Sequence, residues 1–225
     1  GGLMGKLFPK WGPTVLANKV FPVGATDFPS VLLEAKDKGA NLIFLTSEMP
    51  EINILVKQHA TLEVPALLMG YMGSYTGDAG FYEASEGGCD YTMGYENYIY
   101  PSTKAAAAVP EAVSFWNAFK EKYGEEPFYS HGVHSYVSTY ALAEAIERAG
   151  TLDADAVVAE LEKTDMKGTA VARFKWDPET HEIIRGNDPV ESSITCWLQW
   201  QEGERVAVFP PAVADAEIKL PPIMR

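Results

Sequence analysis

The chain has 225 residues, which is enough for one sizeable hydrophobic core or two modest ones. Apolar residues make up 47% of it and charged residues 22%, as in ordinary globular proteins, and no apolar run approaches the ~20 residues that a membrane-spanning helix needs. The net charge of −13, with no basic stripe, disfavours nucleic acid as a partner, because phosphates must be neutralised by Lys and Arg.

The N-terminal part of the chain predicts a strand followed by a helix. Residues 20–23 are a short extended run. Asp27 and Pro29 then favour a helix start at about Ser30, since Asp accepts from free helical N–H groups and Pro suits a first turn. We expect Val31, Leu32 and Ala35 on its inner face and Gly39 at its end.

A second strand and helix follow directly. Residues 42–46 form a continuous apolar run, which is typical of strands buried on both faces. Ile52, Leu55, Val56 and His59 repeat with helical spacing. The loop at residues 46–49 should therefore lie at the carboxyl end of a parallel strand, where open α/β sheets bind ligands.

The middle of the chain is richer in Gly, Tyr, Ser and Asp. Residues 71–88 indicate a binding-cleft loop with a short helix, and residues 89–93 a strand. Residues 97–102 read as an extended hinge, because Pro101 biases Tyr100 away from helix. Residues 103–109 are interpreted as a linker.

Three helices are predicted next, over residues 111–123, 133–150 and 154–161, the last capped by Asp153. No strand is predicted between them, so the aromatic side chains of Phe115, Trp116 and Phe119 would form a large exposed patch unless another part of the protein covers them. Strands are then expected over 170–176, 193–200 and 206–209, with a turn at Gly203.

No catalytic motif stands out. There is no P-loop, no G-x-S-x-G elbow and no G-x-G-x-x-G after a strand, so we expect neither an enzyme nor a cofactor. His131 and His134 are three residues apart, but without a third ligand at useful spacing a metal site is disfavoured. Cys89 and Cys196 have no CxxC or Cys–His neighbour, which disfavours a zinc or thioredoxin-like role.

Four stretches in order carry a family resemblance. The segment FPVGATDF…L…K…GANLIFL…E…I…Q resembles the second lobe of type I periplasmic substrate-binding proteins, the branched-chain amino acid and amide class that serves ABC importers. Residues 128–150, 167–181 and 198–210 are similar to later elements of that family. The resemblance implies an α/β fold of the type I periplasmic-binding-protein kind, with a three-layer αβα second lobe and the returning helices of the first lobe.

The resemblance also implies how the chain is organised. Residues 1–97 correspond to the second lobe, which would begin at a helix over residues 3–16. Residues 98–190 correspond to the returning, mostly helical segment of the first lobe, and residues 191–225 to the final strands and tail of the second lobe. The first-lobe sheet has no counterpart, so we expect a chain that lacks its N-terminal portion; the alternative is a divergent one-lobe protein.

Site residues follow from the same resemblance. The family's aromatic residue that packs on the ligand falls at Glu48, and its acidic residue that takes the ligand ammonium falls at Met72. Either Glu48 replaces the lost carboxylate, or the ligand is an amide, an aromatic acid or a small carboxylate without an ammonium. The candidate ligand-binding residues are Ser47, Glu48, Tyr71, Met72, Tyr129 and His131, and the candidate hinge residues are Tyr98, Tyr100 and Pro101.

The implied function is that of an extracytoplasmic solute-binding protein, periplasmic or lipid-anchored, that closes two lobes on a small ligand and delivers it to an ABC permease. The alternative is the ligand-sensing ectodomain of a signalling receptor with the same fold. The family alignment puts Cys89 and Cys196 on strands of the second lobe, so an oxidising compartment would permit a disulfide; two buried free thiols are an equal alternative.

Overall fold

A computed structural model describes residues 6–47, 51–71, 80–96, 101–127, 129–186 and 188–225. The strands are β1 (Leu42–Thr46), β2 (Leu67–Tyr71), β3 (Met93–Glu96), β4 (Asp165–Lys167), β5 (Arg173–Lys175), β6 (Cys196–Gln201) and β7 (Glu204–Phe209). The α-helices are α1 (Pro29–Asp37), α2 (Glu51–Thr61), α3 (Gly80–Ala84), α4 (Thr103–Ala108), α5 (Pro110–Tyr123), α6 (Tyr129–Ala149) and α7 (Ala154–Leu161).

Two sheets are formed within the part of the chain that the structure describes. The larger has the order β1-β2-β3-β6-β7, and the smaller pairs β4 with β5. β1 and β2 are parallel, with Leu42 opposite Leu67 and Thr46 opposite Tyr71, and β2 is parallel to β3. The carboxyl ends of β1, β2 and β3 therefore face one edge of the sheet, as predicted for the β1 loop.

By its contacts the chain divides into two compact units. The first unit comprises Gly1–Gly94, Gln199–Arg205 and Ile218–Arg225, and the second comprises Tyr95–Leu198 and Val206–Glu217.

The core of the first unit is formed by the periodic faces of its helices. Ile52, Leu55, Val56 and His59 are all buried on α2, as the spacing predicts. On α1 only Leu32 is fully buried, whereas Val31, which was expected on the inner face, is 37% exposed. The helix ends at Asp37, followed by Gly39 at φ +69°, which confirms the predicted stop.

The second unit has two hydrophobic clusters. In one, Trp116 of α5 packs with Val133 and Val137 of α6 and with Phe174 of β5. In the other, Val109 and Ala112 pack with Leu198 and other residues of the β6 and β7 segments. Trp116 is only 6% exposed, so the expectation that it belongs to an exposed patch is wrong: the segment after α7 folds back and covers it.

Several local expectations fail at the N-terminus. The helix expected over residues 3–16 is present only in part of the described range: residues 6 and 7 are helical and a 3₁₀ turn follows at Phe8–Trp11, but residues 12–22 have no regular structure. Gly12 has φ +107° and precedes Pro13, which ends any helix at that point. The expected strand at residues 20–23 is also absent, and Val20 is 87% exposed, because an apolar run without a pairing neighbour does not make a strand.

Two further expectations are corrected in the middle of the chain. Residues 103–108 are helix α4, not a linker: the Ser102 hydroxyl accepts a hydrogen bond from the Ala105 N–H (3.0 Å), and an alanine run has the highest helix propensity. Cys89 lies in a turn that precedes β3, not on a strand. Both cysteines are buried free thiols, so the disulfide is not formed.

β1 is also less enclosed than expected. Leu45 is buried, but Leu42, Ile43 and Phe44 are only half-buried, so the strand is not buried on both faces. The long helices are confirmed, since α5 and α6 cover the predicted ranges and Asp153 caps α7 by accepting from the Ala156 N–H (3.1 Å).

Candidate functional site

The carboxyl edge of β1 and β2 brings two sequence-predicted site residues together. Tyr71 ends β2 opposite Thr46, and the Ser47 N–H donates to the Tyr71 carbonyl oxygen at 2.9 Å. Both residues are half-buried. Ser47, which directly follows β1, and Tyr71, the last residue of β2, are therefore neighbours through their backbones at this edge.

Gly70 fixes the geometry of this edge. Its φ is +142°, and a β-carbon there would overlap the Leu45 carbonyl oxygen and lie 3.0 Å from the Leu45 nitrogen. Only glycine permits this close approach of β2 to β1. The backbone immediately before Tyr71 is thus held tightly against the strand that leads to Ser47.

A buried carboxylate lies at the start of α2 and was not anticipated. Glu51 is 6% exposed, and its Oε1 accepts a hydrogen bond from the Gly24 N–H. Its Oε2 is buried without a hydrogen-bond partner among the described residues. The sequence signal was an acidic residue in a first helical turn, which by itself indicates only a favourable helix-dipole contact.

A second α2 side chain, Gln58, also binds the loop at residues 24–28. The Gln58 amide accepts from the Phe28 N–H (2.9 Å) and donates to the Thr26 carbonyl (3.0 Å). Glu51 and Gln58 are seven residues apart, on one face of α2. Residues 24–28 are therefore fastened to α2 at both ends by hydrogen bonds to the loop backbone.

The remaining candidates are placed as follows. Tyr129 begins α6 and His131 is exposed in its first turn. Pro101 precedes Ser102, the N-cap of α4. Glu48, Met72, Tyr98 and Tyr100 lie outside the described residues. In the described part of the chain, no group of three His, Cys, Asp or Glu side chains is arranged to hold a metal ion.

Shifted pKa values occur away from this edge. Burial lowers the pKa of His59 to about 4, although a hydrogen bond to the Ala66 carbonyl opposes the shift. Hydrogen bonds from Arg173 lower the pKa of Asp165 to about 2 on the surface of the second unit. His59 and Asp165 make intramolecular hydrogen bonds, and neither residue is at the β1–β2 edge.

Comparison with known proteins identifies the family. A sequence profile described as "Periplasmic binding protein" matches residues 3–191. The chain belongs to this family.

Curated relatives of this periplasmic binding protein include "Leu/Ile/Val-binding protein homolog 7" of Brucella suis, 28% identical over 93% of the chain, and "homolog 8" of Brucella melitensis, 26% identical over 92%. The chain spans about half the length of these relatives, 51% and 50% respectively.

Solved structures share the fold. A leucine-binding protein, LivK, from Thermotoga maritima superposes with a TM-score of 0.72 at 21% identity, covering 92% of this chain and 55% of that one. LivJ of Streptococcus pneumoniae in complex with isoleucine superposes with a TM-score of 0.69 at 17% identity, covering 93% of this chain and 56% of that one. A solute-binding protein of R. palustris in complex with benzoate gives 0.68 at 14%, covering 96% and 55%. The predicted α/β fold of the type I periplasmic-binding-protein kind is confirmed.

None of the helices described is long and apolar enough to cross a membrane.

Proposed function

We propose that this chain is part of an extracytoplasmic solute-binding protein that captures a small amino-acid-like, amide or carboxylate ligand and delivers it to an ABC permease. The family match over residues 3–191 carries the proposal. Relatives described as Leu/Ile/Val-binding protein homologues, and structural neighbours in complex with isoleucine or benzoate, support this ligand class. In this proposal the protein works in the periplasm or is lipid-anchored at the cell surface, and it binds its ligand without covalent chemistry.

The carboxyl edge of β1 and β2 is the proposed ligand wall. Ser47 and Tyr71 are adjacent there, and ligands of open α/β sheets bind at this edge. Glu48 and Met72 directly follow these two residues in sequence and complete the proposed wall. Tyr129 and His131, at the start of α6, are further proposed ligand-binding residues.

Closure of two lobes is the proposed mechanism, with Tyr98, Tyr100 and Pro101 in the hinge. Residues 1–97 and 191–225 would form one lobe, and residues 98–190 would be the part of the other lobe present here. The relatives are about twice as long, and this supports a cleft that is completed by a further segment.

The surface of α5 and α6 supports the same proposal. Phe115 and Tyr136 are in ring contact (4.6 Å between centroids), and Tyr136 also contacts Tyr140 (4.9 Å). Tyr136 is 40% exposed, Tyr140 48% and Tyr123 56%. Such an aromatic surface is unusual on a soluble monomer and is suited to packing against the rest of the first lobe.

Thermal-shift screening tests this function. The full-length protein is screened against leucine, isoleucine, valine, their amides and benzoate, and hits are measured by calorimetry. We expect at least one of these solutes to stabilise it, since a ligand that binds only the folded state raises the melting temperature. No stabilisation by any of them would contradict the proposed ligand class.

The 225-residue chain is the matched control. It should bind the same solute weakly or not at all, because half of the cleft wall is absent. Micromolar or tighter binding by the chain alone would contradict the two-lobe cleft.

A further inference from the structure

A cavity of about 200 Å³ lies in the second unit, beside α6. Its apolar lining comes from Val137, Phe174, Ile183 and Ile194. Its polar lining comes from His134, Ser138, Arg185, Ser193 and Thr195. The volume is well above the roughly 30 Å³ that one water molecule occupies in the liquid, so the cavity has room for a small organic molecule.

The backbone around the cavity is well defined by hydrogen bonds. The Ser193 N–H donates to the Ile184 carbonyl (3.2 Å), and the Gly186 N–H donates to the Ser193 carbonyl (3.3 Å). The Ile184 N–H donates in turn to the Lys175 carbonyl of β5 (2.9 Å). Arg185 and Ser193 are thereby held as neighbours in a parallel bridge at one wall.

The charge of this cavity is opposite to that of the chain. The chain has 31 acidic against 18 basic residues, yet none of the described residues lining the cavity is Asp or Glu. Arg185 provides a fixed positive charge, and the structure shows no ion pair or hydrogen bond for its guanidinium among the described residues. Ser138 and Ser193 add hydroxyl groups that can donate.

Trp176 lies behind two of the residues that line the cavity. Trp176 packs edge-on against Phe174 (5.3 Å between ring centroids) and pairs with Ile183, and both of these neighbours line the cavity. Its ring Nε1 is buried without a hydrogen-bond partner among the described residues. Trp176 does not itself line the cavity, so its indole group serves as a reporter of changes at Phe174 and Ile183 and not as a ligand donor.

We infer that this cavity, which we call the Arg185 pocket, binds a small monocarboxylate with an apolar body. Arg185 binds the carboxylate, since a guanidinium matches its two oxygens, and the hydroxyl groups donate to the same oxygens. The aliphatic and aromatic wall covers the apolar body. A zwitterionic amino acid is disfavoured, because its ammonium finds no carboxylate in the lining.

This inference is independent of the proposed cleft. The cleft residues Ser47 and Tyr71 are in the first unit, and every residue of the Arg185 pocket is in the second. Its failure would leave the proposed function intact, and the reverse also holds.

The test uses three probes with the same apolar body: 4-methylpentanoate, its neutral amide, and leucine. Each is titrated into the 225-residue chain, and binding is followed by the indole N–H resonance of Trp176, assigned with Trp176→Phe. We expect a saturable shift with 4-methylpentanoate and no comparable shift with the amide or leucine.

Substitutions locate the site. Arg185→Gln should weaken the binding of 4-methylpentanoate by about tenfold. This is the lower end of the range for a hydrogen bond to a charged group, because Arg185 is exposed. Arg185→Lys should have a smaller effect. Lys10→Gln removes one exposed charge elsewhere and should leave affinity unchanged. Absence of saturable binding, equal binding of leucine, or unchanged affinity in Arg185→Gln would each overturn the inference.

Discussion

Gln199 is the side chain whose replacement we expect to release the C-terminal tail. It is fully buried in the first unit, where its Nε2 donates to the carbonyls of Tyr91 (3.0 Å) and Lys219 (2.8 Å). Its Oε1 accepts from the Lys219 N–H (2.8 Å) and from the Gln201 amide (2.8 Å). Gln199→Leu keeps the volume but removes the two hydrogen bonds that hold Lys219, each contributing about 1 kcal/mol, so the tail should lose about 2 kcal/mol of protection.

Amide hydrogen exchange measures this loss directly. A loss of about 2 kcal/mol corresponds to exchange of the Lys219 amide that is roughly 30-fold faster in Gln199→Leu. A chain ending at residue 217 provides the control, because there Gln199→Leu removes only the bonds to Tyr91 and Gln201 and should cost about 2 kcal/mol less in urea unfolding than in the 225-residue chain. Equal exchange of Lys219 in wild type and variant would refute the reasoning.

Three further predictions concern the strand edge, a buried histidine and the ligand. Gly39→Ala has open space around the new β-carbon and should cost only backbone strain, about 1–3 kcal/mol. Gly70→Ala should destabilise the fold by more than this, because its β-carbon would also overlap Leu45. Urea unfolding that gives the two variants equal losses of stability would contradict this. The pKa of His59 is lowered from 6.5 to about 4, so its contribution to stability is complete above pH 6.5 and is lost as pH falls towards 4. His59→Leu should therefore flatten the dependence of the melting temperature on pH in this range. An unchanged dependence would refute the argument. Glu48→Gln in the full-length protein should weaken a ligand with an ammonium by about 1.5–3 kcal/mol in calorimetry and leave a neutral or anionic ligand unaffected. Unchanged affinity for an amino acid would show that Glu48 is not its ammonium partner.

Periodicity predicted the elements whose apolar residues also find a partner surface. α2 is the clearest case, because its four spaced apolar or aromatic positions are all buried. The same reasoning failed at residues 20–23, where apolar residues have no neighbouring strand and stay exposed. It also failed at residues 103–108, where the alanines were read as a linker although their helix propensity and the Ser102 cap decide the structure.

The placement of the candidate site residues was predictable only in part, for a physical reason. The strand at residues 42–46 predicted that the loop with Ser47 lies at the carboxyl edge of the sheet, because parallel strands place their carboxyl ends at one edge, whereas Tyr71 was a candidate through the family resemblance. The contacts of Gln199 and the Arg185 pocket were not predictable, since they depend on partners distant in sequence; Gln199 and Tyr91 are 108 residues apart.

The fastening of residues 24–28 to α2 has a consequence for sequence variation in the family. Glu51 and Gln58 bind only the main chain of this loop, through the Gly24 and Phe28 N–H groups and the Thr26 carbonyl. The exposed side chains of Thr26 and Asp27 take no part in these bonds, so natural substitution there is unconstrained by them. These bonds depend instead on the side chains at two helix positions, 51 and 58, which lie more than 20 residues further along the chain.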